Sequence, residues 1–122
     1  MHVLEKNIAI GSAQDYIVDE GIIVLKLSNN QDDDIQYNYT IDKNHIQFHF
    51  CTKGKSKFIF NQGRYSFPVE SENSVLLYNP QNELPINTIL SPNSFVLSVL
   101  ISIKKFHGLF SSQADQISFL NN

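Results

Sequence analysis

Tryptophan is missing from this chain of 122 residues, and cysteine occurs once. The single thiol, Cys51, excludes an internal disulfide framework and fits a reducing compartment. Charge is also scarce. Lys, Arg, Asp and Glu make up 17% of the residues, with a net charge of -3. A nucleic-acid footprint needs a clustered basic face, so these residues are not expected to carry DNA or RNA themselves. No basic segment followed by an apolar stretch opens the chain, so no secretory signal is visible. The longest nearly apolar run, "FVLSVLISI" (Phe95 to Ile103), is far shorter than the about 20 residues of a membrane-spanning helix. Without a secretory signal, the acceptor pattern Asn38-Tyr39-Thr40 has no expected use.

What remains is ordinary for a globular domain. Apolar residues reach 42%, with nine Phe and five Tyr, and residues 1–122 are long enough to bury one core. Short β-type runs recur between turn residues, with no internal repeat. "IIVLKL" stops at Ser28-Asn29-Asn30, and "IQYNYTI" follows the polar loop "NNQDDD". "HIQFHFCTK", "SKFIF", "RYSFPV", "SVLLYNP", "PINTIL" and "FVLSVLISI" continue the series. Seven or eight such strands predict an antiparallel sandwich or barrel, and periodicity alone does not choose between them. In "IKKFHGLF", Ile103, Phe106, Leu109 and Phe110 fall at helical spacing, which predicts a short helix from Lys104 to Phe110. "ADQISFL" is read as one further turn.

The run His45–Phe50 carries the chemistry-bearing candidates. On a strand, His45, Gln47, His49 and Cys51 share one face, and Ile46, Phe48 and Phe50 the other. Two histidines four apart on a strand stand about 13 Å from each other. One metal ion with bonds near 2 Å does not reach both, so no metal is expected. His49 and Cys51 lack an identifiable third group to orient a nucleophilic pair. The lysines of "TKGKSK" (Lys53, Lys55, Lys57) read either as a clamp for an anion or, more plainly, as a solvated face or a guarded sheet edge around a tight turn. "DDD" (Asp32–Asp34) lacks the alternation and closing Glu of a calcium loop. The strand aromatics, Phe48 and Phe50 among them, read mainly as core. An apolar pocket at the barrel mouth would take polar contacts from Gln47, His49, Arg64, Tyr65 and Tyr78.

Three segments carry a family resemblance: "QFHFCTKGKSKFIF", "RYSFPVESENSVLLYNP" and "LPINTILSPNSFVLSVLISIKKFHGLF". Together they resemble the N-terminal sensor domain of AraC-type bacterial transcription regulators, most nearly the branch with siderophore-responsive members. The resemblance spans roughly residues 44 to 110. It implies an all-β, cupin-like barrel with a short C-terminal helix, a small-molecule effector, a homodimer and a cytoplasmic location. It also implies that a separate domain of paired helix-turn-helix motifs reads DNA, and no such segment occurs in these residues. The expectation is a non-catalytic sensor domain over 1–122 that uses no cofactor and meets no membrane. Metal-binding cupins carry His-x-His, a nearby Glu and a later His. Here Gln47 stands two before His49, and no Glu follows closely. A stand-alone cupin enzyme acting on a sugar or small acid is the alternative.

Overall fold

The computed structural model describes residues 12–60 and 63–109, with side chains from residue 20 onward. Nine strands occur among the described residues: β1 (Ser12–Asp19), β2 (Ile22–Asn29), β3 (Ile35–Tyr39), β4 (His45–Lys53), β5 (Lys55–Phe60), β6 (Tyr65–Glu70), β7 (Asn73–Leu77), β8 (Ile86–Leu90) and β9 (Ser94–Ser102). They form two antiparallel sheets, β1-β2-β9-β4-β7 and β3-β8-β5-β6. A helix, α1, follows β9 directly over residues 103–109. The expected all-β fold with a short C-terminal helix is therefore present. Eight strands coincide with the runs legible in the sequence, and β1 is the addition. Asn61, Gln62 and the stretch "ADQISFL" lie outside the described residues.

The core lies between the sheets. Leu25, Leu27, Tyr37, Phe58, Ile86, Leu90, Val96 and Leu100 are fully enclosed there. Phe60, Phe67 and Val75 pack against this cluster. The rings of Phe58 and Phe67 stack with centroids 5.9 Å apart.

Two polar devices tie one sheet to the other. Asn29, buried at the end of β2, donates from Nδ2 to the carbonyls of Asp33 (2.8 Å) and Leu90 (2.9 Å). Its Oδ1 accepts the Gln31 N–H at 2.8 Å, so one side chain shapes the loop that carries the chain to the second sheet. The other device is the β4–β5 corner at Gly54, whose φ is +79°. A Cβ there would lie 2.8 Å from the Cα of Ser94. That close approach lets the Lys55 N–H reach Ser94 Oγ at 2.9 Å.

The face assignment of β4 is the main correction to the sequence reading. Burial follows the polar set: His45, Gln47, His49 and Cys51 point inward and are buried. Ile46, Phe48 and Phe50 occupy the opposite side; Ile46 is also buried, but Phe50 stays 39% exposed. Phe50 is not core, and Phe48 is only half-buried. Of the two plain readings of the lysines, the solvated face holds, since Lys53, Lys55 and Lys57 are exposed. The guarded edge does not hold for Lys55 and Lys57, because β5 pairs with both β6 and β8.

Candidate functional site

The inward row of β4 has its polar partners supplied by neighbouring strands and one loop. Register sets Ser98 of β9 opposite His49. Ser98 Oγ lies 2.6 Å from His49 Nδ1, and His49 Nε2 lies 2.8 Å from Gln47 Oε1. Gln47 Nε2 donates to the carbonyl of Leu84, on the segment leading into β8. A carbonyl can only accept, so that last bond fixes the direction of the whole chain. Gln47 turns its oxygen to His49, Nε2 of His49 carries the proton, and Nδ1 accepts from the Ser98 hydroxyl. Burial lowers the His49 pKa to about 3, so the ring is neutral, as this arrangement needs. The ring also lies 4.6 Å from that of Phe58, centroid to centroid.

This closed relay does not fit a divalent metal. Both nitrogens of His49 are engaged, Gln47 is a poor ligand, and His45 is about 13 Å along the strand. Among the described residues no three His, Cys, Asp or Glu side chains converge. Cys51 is inward and buried, with its thiol directed at the carbonyls of Lys53 (3.4 Å) and Gly54 (3.5 Å). Burial pushes its pKa up, away from thiolate chemistry.

His45 differs from its neighbours. It opens β4, buried opposite Ser102. Asp42 Oδ1 accepts the Asn44 N–H at 2.9 Å and lies 2.7 Å from His45 Nδ1, which orients the ring. Nε2 of His45 is buried and has no hydrogen-bond partner among the described residues. The site abuts α1: the Ile103 N–H donates to the Asn44 carbonyl at 2.7 Å. Ser102 caps that helix, its Oγ accepting the Lys105 N–H at 3.1 Å. Sequence reading placed His45 on the correct face but omitted it from the ligand set. The Asp-Lys-Asn-His turn, which brings Asp42 to the ring, was the available signal.

The five sequence candidates do not meet. Gln47 and His49 are joined within the barrel. Tyr65 is 65% exposed on β6, and Arg64 beside it is exposed. Tyr78, one residue past β7, is 40% exposed. The inner face grouping Gln47, His49 and Tyr65 is thus corrected. Tyr65 opens β6 on the same side as Phe67 and Val69, but at the strand's end it stays in water and does not join Gln47 and His49. Lys55 and Lys57 instead line a shallow groove of about 220 Å³ on the outer side of the four-stranded sheet. Asp34, Glu70, Pro68 and Ile89 complete it, so its charges balance.

Comparison with known proteins shows the fold. No family model and no curated protein matches the chain. Among solved structures, an RmlC-like cupin protein from Desulfovibrio desulfuricans is similar at TM-score 0.57 and 9% identity, over 75% of this chain and 81% of that one. The cupin domain of Schizosaccharomyces pombe Cnp3 follows at TM-score 0.53 and 9% identity, over 79% and 63%. A cupin domain of an XRE-family transcriptional regulator from Enterobacter cloacae gives TM-score 0.52 and 9% identity, over 74% and 94%. The fold is that of a cupin barrel.

Proposed function

We propose that the chain is the small-molecule-sensing domain of an AraC-type bacterial regulator, acting in the cytoplasm and without a cofactor. In this reading a separate helix-turn-helix domain reads the DNA. The carrying observation is the buried, Asp42-oriented His45 imidazole, whose Nε2 has no partner among the described residues. A buried nitrogen left unpaired costs about 1–3 kcal/mol, which a ligand donor would recover. The nitrogen also stands where β4 meets α1, so occupancy there can bias the helix. A cupin domain within a regulator of another family supports the reading at the level of fold. The hydrogen bonds that close around His49 favour a non-catalytic interior. Among the described residues no helix is long and apolar enough to cross a membrane.

The test is a calorimetric screen of the chain against small hydroxylated and carboxylated molecules. A true effector binds the wild type and binds His45→Phe about tenfold more weakly or worse, matching the loss of one buried hydrogen bond. Equal affinity for both proteins, or no binder across the screen, refutes the reading.

A further inference from the structure

The groove on the outer side of the four-stranded sheet is built from two rows that register sets across β6, β5 and β8. One row places Glu70 opposite Lys55, whose carbonyl accepts the Ser91 N–H at 3.1 Å on the other side. The next row places Pro68 and Ile89 on either side of Lys57. Asp34, one residue before β3, stands beside Ser91, because β3 pairs Ile35 with Leu90. The inward neighbours Ser56 and Phe58 are buried, whereas Lys55, Lys57, Glu70 and Asp34 are all exposed. Among the described residues no ion pair joins either of these ammonium groups to either carboxylate. Two cations and two anions thus share a groove of about 220 Å³, above the Pro68 ring and a half-buried Ile89.

We propose that this groove binds a small zwitterion, an α-amino acid with an apolar side chain. Spacing selects that ligand. Lys55 and Lys57 are two residues apart on one strand, so their stems leave the sheet about 6.6 Å from each other. Glu70 stands one strand away from Lys55, at about 4.8 Å. The three charges therefore outline a triangle of less than about 9 Å on any side, within which their flexible stems converge. An α-amino acid carries its carboxylate and its ammonium on one carbon, so both fit inside that outline together. Its carboxylate lies between the two lysine ammonium groups, its ammonium against Glu70, and its side chain along Pro68 and Ile89. Charge discriminates as well. A plain anion meets Glu70 and Asp34 beside the lysines, and a plain amine meets the lysines beside the carboxylates. A ligand of both signs satisfies both pairs, which narrows the anion clamp that the lysines alone suggest. These charges stay in contact with water, so binding is weak, with a dissociation constant on the order of 1 mM. The groove is on the outer side of its sheet and is independent of His45, which lies inside.

Amide shifts in heteronuclear NMR of the 122-residue chain test it, with leucine as the probe. Two analogues keep the side chain of leucine and remove one charge each: isocaproate lacks the ammonium, and isoamylamine lacks the carboxylate. Leucine up to about 20 mM should move the amides of Lys57, Glu70 and Ile89 along a saturating curve. Each analogue should bind at least about fivefold more weakly. Lys57→Gln and Glu70→Gln alter side chains already in water, so the fold survives, and each should weaken leucine binding about fivefold. His45→Phe, shown to be folded by the same spectra, should leave it unchanged, which separates this groove from the proposed effector contact inside the barrel. Shifts that never saturate, or analogues that bind as well as leucine, overturn the proposal. So does a site that keeps its affinity in Lys57→Gln and Glu70→Gln combined, or one that folded His45→Phe abolishes.

Discussion

At the level of single residues, the His49 relay makes stability depend on pH. The unfolded imidazole titrates near its ordinary value of 6.5, whereas burial holds the native ring at about 3. Between those values the unfolded chain binds a proton that the native one refuses, so stability is full above 6.5 and falls as pH falls. From pH 7 to pH 5 the loss from this site is about 2 kcal/mol, and it levels off near pH 3. His49→Gln offers an amide oxygen to Ser98 and an amide N–H to Gln47, so the relay survives while the titration vanishes. Urea unfolding at several pH values should show a flatter profile for that variant. An unchanged slope would locate the acid sensitivity elsewhere. Ser98→Ala probes the other end of the relay. It strands His49 Nδ1 as a buried acceptor, and the expected loss is about 1–3 kcal/mol, with no cavity large enough to account for it. If Ser98→Ala matches wild type in urea, the Ser98–His49 bond contributes nothing.

Among the elements, corners and faces matter more than the strands themselves. Gly54 and Gly63 both have positive φ, +79° and +89°, but differ in surroundings. Beside Gly63 a Cβ meets nothing within 4 Å, whereas at Gly54 it would strike the Ser94 backbone. Gly63→Ala should therefore lose only the about 1–2 kcal/mol of left-handed backbone. Gly54→Ala should lose at least about 1 kcal/mol more, since the sheet-to-sheet corner must open. Equal midpoints in urea would mean that β9 yields freely at Ser94. The same contrast explains what could be read beforehand. β2 to β9 announce themselves by alternation and turn residues, while "SAQDYIVD" of β1 mixes polar and apolar residues without a clean period. Alternation also says that the two faces of β4 differ without saying which is inside. Hydrophobicity alone assigns Phe48 and Phe50 to the core. The decision came from partners 37 and 49 residues away, the Leu84 carbonyl and the Ser98 hydroxyl. Arg64, Tyr65 and Tyr78 were equally beyond residue type: all three stand at or just past a strand's end, where position in the sheet and not parity leaves them in water.

For the whole molecule, a homodimer, as the family resemblance implies, would couple folding to association, and the outer side of β4, where Phe50 is exposed, is where a test can probe it. Whatever binds the native state and not the unfolded chain stabilises it by RT ln(1 + [L]/Kd). With a second copy as the ligand and taking a dissociation constant of about 10 µM, dimer formation depletes the free chain, and raising the total from about 1 to about 100 µM adds about 0.9 kcal/mol. In a domain of this size that moves Tm upward by about 3–5 °C. Differential scanning calorimetry at the two concentrations measures it directly. Phe50→Asp should remove the concentration dependence while keeping the Tm of the dilute wild type within about 2 °C, because its side chain leaves an exposed position rather than the core. A concentration-independent Tm in the wild type would mean that the outer side of β4 remains bare in the native monomer. A fall of many degrees in dilute Phe50→Asp would mean that Phe50 supports the fold itself. Only the combination of a rising wild-type Tm and a flat variant Tm ties the outer side of β4 to association between copies.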